Sequence, residues 1–78
     1  MSQARAEFIV EPFTEGAPGP HVDAAIAAAR AAGFEPDVGP FGTAITGAAA
    51  DVFAALNTLV ESSTRAGATR ISVQVTVE

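Results

Sequence analysis

The stretch Gly39-Pro40-Phe41-Gly42-Thr43-Ala44-Ile45-Thr46-Gly47 decides the fold. It reads as a tight turn followed by a short β-branched strand, Thr43 to Thr46, that stops at Gly47. A strand–helix–strand pattern lies on either side of that turn, so the chain is two similar halves joined by a hairpin. On the N-terminal side, Ala4 to Phe13 alternates. Ala6, Phe8 and Val10 point one way and Glu7, Ile9 and Glu11 the other, which is a half-buried strand ended by Pro12. Thr14 to Pro20 carries two Gly and two Pro and is a loop. Pro20 suits the first helical position and Asp23 the first turn. Val22, Ala25, Ile26, Ala29 and Ala32 form an apolar stripe at helical spacing, with Gly33 as the C-terminal cap. Phe34 to Val38 predicts a second strand, and Glu35, Pro36 and Asp37 place it at a sheet edge.

Beyond the turn, Ala48 to Ala66 predicts the second helix. Val52, Leu56, Leu59, Val60 and Ser63 make its buried stripe, flanked by Phe53, and Gly67 caps it. Ile71, Val73, Val75 and Val77 then alternate with Ser72, Gln74 and Thr76 as the last strand. The order is β-α-β-β-α-β. Right-handed crossovers require each β-α-β unit to leave a gap that the other fills. The expected fold is therefore α+β and ferredoxin-like: a four-stranded antiparallel sheet in the order 4-1-3-2, with both helices on one face.

Composition narrows the function classes. Seventy-eight residues predict one domain, 1–78. A chain this short buries only ~60–65% of its unfolded surface, so its core is marginal and self-association is the expected remedy. There is no Cys, which excludes disulfides and thiolate metal sites, and only one His. The hydrophobic fraction of 49% and charged fraction of 17% are those of a globular chain. A net charge of −5 disfavours nucleic acid and anionic membrane as partners. No stretch approaches the ~20 apolar residues of a membrane span, and Met1-Ser2-Gln3-Ala4-Arg5 has no apolar signal-peptide core. A cytoplasmic location is the default expectation.

Two consequences follow from the predicted topology. The loop after the first strand and the turn between strands 2 and 3 share one end of the sheet. Phe13, His21, Phe41 and Gly42 are then neighbours, and the C-terminus, Val77-Glu78, is expected at that end too. The sheet face away from the helices is also uncovered. Glu7, Ile9 and Glu11 point to it, as do Ser72, Gln74, Thr76, Ala44 and Thr46. Two such semi-polar faces could stack about a two-fold axis, and a polar small molecule could satisfy groups trapped between them. Strand 4, an edge without Pro and with little charge, invites pairing with another subunit.

The candidate constellations are weighed against plainer roles. Glu7 and Glu11 share one face of a strand, but no nucleophile with an activated base accompanies them, so a solvated or interface-facing pair is the simpler account. His21 opens a helix, where a ligand hydrogen bond and a plain surface position are equally open. Phe13 and Phe41 are the aromatics outside the strand and helix repeats, since Phe8, Phe34 and Phe53 fit core positions. Loop aromatics stack on flat heterocycles or fill gaps under loops. Gly39-Pro40-Phe41-Gly42 lacks the Gly-Lys-Ser/Thr ending of a phosphate loop.

With these residues laid out, the chain resembles the small thiamine-binding (YkoF-like) proteins. Ala6-Glu7-Phe8-Ile9-Val10-Glu11-Pro12 carries the resemblance, with the helix Val22 to Gly33, the turn and strand Gly39 to Gly47, and Ala66-Gly67-Ala68-Thr69-Arg70-Ile71-Ser72-Val73. The Gly42-Thr43 pair with Gly47 five residues after Gly42 is its strongest piece. The chain departs from many relatives at Gly19-Pro20-His21-Val22, where they carry Ser, at Thr46, where they carry an acidic residue, and at Phe41, where a Met-type residue is usual.

The resemblance implies a homo-dimer or tetramer that binds thiamine or its hydroxymethylpyrimidine part without catalysis, and without any further cofactor or metal. In that reading Phe13, Phe41 and Gly42 help enclose the ring. Thr43, Thr46 and Gln74 hydrogen-bond it, His21 is a further polar contact, and Glu7 or Glu11 offsets the thiazolium charge. Two other expectations stand beside it: a regulatory or protein-interaction module of the same fold, and a small acylphosphatase-like hydrolase. The hydrolase needs an Arg cradle and a water-placing Asn; the single Asn57 lies inside the second helix, and no Arg lies in the loop after strand 1.

Overall fold

The computed structural model describes residues 2–12, 19–40 and 42–78. The elements run β1 (Gln3–Glu11), α1 (Pro20–Ala31), β2 (Asp37–Val38), β3 (Thr43–Ala48), α2 (Ala49–Arg65) and β4 (Arg70–Val77). The sheet order is β2-β3-β1-β4 with every neighbouring pair antiparallel, the ferredoxin-like arrangement that the crossover argument requires.

Strand alternation sets the core. Ala4, Ala6, Phe8 and Val10 of β1 are buried, while the residues between them stay open. Ile45 joins them from β3, Ala25 and Ala29 from α1, and Val52, Ala55 and Leu59 from α2. The two helices pack against each other and sit over β1 and β3. Small alanines on α1 permit that close approach. Pro20 starts α1 at a position where its missing N–H costs nothing, and Arg30 and Arg65 lie in the last turns of the two helices, at their negative ends. Gly33 at φ +94° and Gly67 at φ +112° supply the left-handed residue that ends each helix. Among the described residues no helix is long and apolar enough to cross a membrane.

Several boundaries differ from expectation. The second strand shrinks from Phe34–Val38 to two residues, because Pro36 has no N–H to give a ladder and is itself buried. Phe34 instead packs on the core beside Gly47, where a Cβ would meet its ring at 2.9 Å. β3 runs through Gly47 to Ala48 and passes directly into α2, with no side-chain cap at Ala48. The α1 stripe is rotated by one position: His21, Ala25 and Ala29 are buried, whereas Ala32 is exposed. Ala55 takes the place expected of Phe53, which is 49% exposed.

The C-terminus is at the other end of the sheet from the one expected. β4 is antiparallel to β1, so Arg70 pairs with Glu11 and Val77 pairs with Ala4. The Glu78 N–H closes the ladder on the Gln3 carbonyl.

Candidate functional site

Cross-strand partners share a face, so the pairing register sorts the side chains. Glu7 opposes Ala44 on β3 and Gln74 on β4; Arg5 opposes Thr46 and Thr76; Ile9 opposes Ser72. Asp37 opposes Ala44 from the far side. These residues all lie on the side of the sheet away from Phe8 and the helices, so the open face has the composition expected from alternation.

A concavity of about 510 Å³ occupies this face, between the β2–β3 turn and β4. Ala44, 6% exposed, and Ile9, 37% exposed, supply apolar surface. Glu7, Asp37 and Arg5 bring charge, Gln74 brings an amide, and Gly39, Pro40 and Gly42 border it from the turn. The turn is held by a 2.8 Å hydrogen bond from the Gly39 N–H to the Gly42 carbonyl. It lies tight on β1: a Cβ at Gly42 would stand 3.1 Å from the Phe8 carbonyl oxygen and 3.2 Å from Ile9 Cγ1. Arg5 Nε donates to Glu7 Oε1 at 3.4 Å in an exposed pair. Two carboxylates against one guanidinium leave the concavity anionic, which suits a flat ligand bearing a positive charge.

The expected site residues divide. Glu7, Gly42 and Gln74 line the concavity. Thr43 borders it, yet it is buried and stands opposite Phe8, on the helix-covered side. Thr46 is exposed on the open face beside Arg5 but does not line the concavity. Glu11, partly buried opposite Arg70, lies beyond its end. His21 is 8% exposed, with Nε2 at the Pro12 carbonyl. That contact anchors the start of α1 to the end of β1 and occupies the ring nitrogen. Phe13 and Phe41 lie outside the described residues. Arg5 and Asp37 line the concavity without having been singled out from the sequence. Arg5 carries a signal there, standing two residues before Glu7 on the same face. Asp37 is recognisable only once its register against Ala44 is known.

The sequence pattern of the thiamine-binding protein family matches residues 6–78. The chain belongs to that family. Among curated proteins, none matches it. Its fold recurs in solved structures. A Thermotoga maritima protein described as a suspected thiamine biosynthesis/salvage protein superposes with a TM-score of 0.70 at 22% identity, covering 97% of this chain and 82% of that one. A domain of unknown function from Bacillus cereus gives 0.71 at 21% identity, covering 97% and 74%. A Streptococcus pneumoniae protein gives 0.73 at 21% identity, covering 97% and 84%. At these identities the likeness speaks for the fold.

Proposed function

We propose that the open face of the sheet binds thiamine or its hydroxymethylpyrimidine part without catalysis, in a homo-oligomer whose protomers help cover that face. The observation that carries this reading is the concavity itself. It combines an apolar floor at Ala44 and Ile9 with the carboxylates of Glu7 and Asp37 and the amide of Gln74. Family membership supports the ligand class. The flat aminopyrimidine ring rests on the apolar floor, where burial of its faces supplies most of the affinity. The Gln74 amide N–H donates to a ring nitrogen and its carbonyl oxygen accepts from the exocyclic amine. The carboxylates offset the thiazolium charge, and Arg5 orients Glu7. Storage, delivery or sensing of the vitamin are the roles such binding serves.

Isothermal titration tests the proposal. Saturable heat at micromolar affinity or tighter, roughly −8 kcal/mol or better, is expected with thiamine or with the free pyrimidine. Absence of heat with both overturns it. A protein-interaction module without a vitamin ligand is the second reading. The bare β4 edge favours it, and the same titration decides between the two.

A further inference from the structure

The open face carries its polar side chains in rows. Antiparallel pairing sets Arg5 between Thr46 of β3 and Thr76 of β4. The next row on that face sets Glu7 between Ala44 and Gln74, with Asp37 beyond Ala44. Among the described residues Arg5 is the only cation lining the concavity, and it is already engaged: its Nε donates to Glu7 Oε1. Its terminal guanidinium nitrogens have no partner among the described residues, and neither do the hydroxyls of Thr46 and Thr76, both exposed. Arg70 stands opposite Glu11, beyond the end of the concavity. A second anion entering this site would therefore meet the carboxylates of Glu7 and Asp37 and a guanidinium that Glu7 has already taken.

We propose that Glu7 is the specificity-determining residue of the concavity: it admits thiamine and the free pyrimidine and turns away their phosphate esters. This specificity rests on the vitamin reading of the site and deepens it. One methylene carbon of the aminopyrimidine bears the cationic thiazolium in thiamine and a neutral hydroxyl in the free pyrimidine. In the pyrimidine's phosphate ester the same carbon bears a group of about −1.5 to −2 charge. Whichever group it is, the carboxylates that offset the thiazolium face it. Glu7 acts in two ways. Its own charge repels the phosphate, and its hold on Arg5 withdraws the guanidinium that would otherwise receive one. Discrimination of this kind comes from disfavouring the wrong ligand as much as from gripping the right one. A consequence follows for the row beside it. Without the Glu7 charge, Arg5 is released between the hydroxyls of Thr46 and Thr76, a set of donors that suits phosphate oxygens. Exclusion of the ester and a latent affinity for it thus depend on the same carboxylate.

Calorimetric titration of thiamine, hydroxymethylpyrimidine and the phosphate monoester of each into wild type, Glu7→Gln and Glu61→Gln tests this. Wild type is expected to bind each unphosphorylated ligand on the order of tenfold or more tighter than its ester at low salt, with the gap narrowing at high salt. Glu7→Gln is expected to move that ratio toward the ester, again on the order of tenfold or more. Adding Arg5→Gln to Glu7→Gln is expected to remove the ester's gain. Glu61→Gln takes the same charge from an exposed position on α2, outside the concavity, and is expected to leave the ratio unchanged. Should Glu7→Gln misfold, Asp37→Asn carries the test, with a shift in the same direction. Equal wild-type affinity for a ligand and its ester overturns the proposal. So does an unchanged ratio in the folded variant, or a shift in Glu61→Gln as large as that in Glu7→Gln. In those cases heat with thiamine leaves the vitamin reading standing. Absence of heat with every one of these ligands removes that reading, and the specificity with it.

Discussion

Glu7 and Gln74 face each other across the β1–β4 ladder on the uncovered side of the sheet, and both border the same concavity. One is an acceptor with a full charge and the other a neutral donor and acceptor, which are the two kinds of group that a neutral aminopyrimidine joined to a cationic thiazolium requires. Their proximity comes from register alone, since 66 residues separate the middle of the first strand from the middle of the last, as their numbers in the sequence show.

If Glu7 balances the ligand's charge, Glu7→Gln should weaken thiamine binding about tenfold, on the order of 1.4 kcal/mol, and weaken the uncharged pyrimidine less. The loss should shrink at high salt, because the group is solvent-accessible and screened. Thermal stability should barely move, since the exposed Arg5–Glu7 pair contributes only ~0–1 kcal/mol. Paired titrations with the two ligands, at low and high salt, check all three expectations.

On the inner face of α2, Leu59 and Ser63 are both fully buried one turn apart, and they should respond unequally to truncation. Ser63 Oγ donates to the Leu59 carbonyl at 2.7 Å, an oxygen that belongs to its own helix. Ser63→Ala removes only the hydroxyl, leaves the Leu59 carbonyl in its place within α2 and puts a small apolar group in the core, so the change should be within about 1 kcal/mol. Leu59→Ala opens a cavity in the centre of a small core and should cost ~2–5 kcal/mol, enough to unfold much of a domain this size. Urea melts of the two variants make the comparison.

Gly47→Ala should destabilise the fold by ~1–3 kcal/mol through the Phe34 ring, which a Cβ would meet at 2.9 Å. Gly47 lies within β3, so the alanine suits the strand backbone and the cost is one of packing. The double variant Gly47→Ala/Phe34→Leu should therefore recover part of the loss, an interaction that a double-mutant cycle measures.

How far the sequence carries can be followed residue by residue. Glu7 and Phe8 were separable at once, because a strand's two-residue period assigns neighbours to opposite faces. That rule also placed Gln74, Ala44 and Thr46 on the open face, where the register puts them. Val73, Val75 and Val77 were placed on the right side too, but the same pattern is silent on whether a helix reaches them. That depends on how closely the alanines of α1 let it approach α2. Phe53 fails for a related reason: it sits at the margin of a helical stripe, and only the packed neighbours decide which margin is covered. His21 has the spacing of a core residue with Ala25 and Ala29, yet its partner, the Pro12 carbonyl, lies nine residues earlier, beyond the reach of helical periodicity. The C-terminus lies at the opposite end from the one expected although chain direction alone fixes it, because a strand antiparallel to β1 begins where β1 stops.

The two glycines of the β2–β3 turn offer the last contrast. Gly39 has room: an added Cβ would meet only the Gly42 carbonyl oxygen, at 3.4 Å. Gly42 has none, because its Cβ would press at 3.1 Å on the Phe8 carbonyl oxygen, which is backbone and cannot rotate away, and at 3.2 Å on Ile9 Cγ1. Gly39→Ala should thus leave stability within ~0.5 kcal/mol of wild type, whereas Gly42→Ala should lose ~1–2 kcal/mol as the turn lifts from β1. The same displacement moves the rim of the concavity away from Ile9, so Gly42→Ala should also weaken ligand binding, while Gly39→Ala should not. Melts and titrations on the two variants separate the effects. Equal behaviour of the two would mean that the turn does not rest on β1 as described.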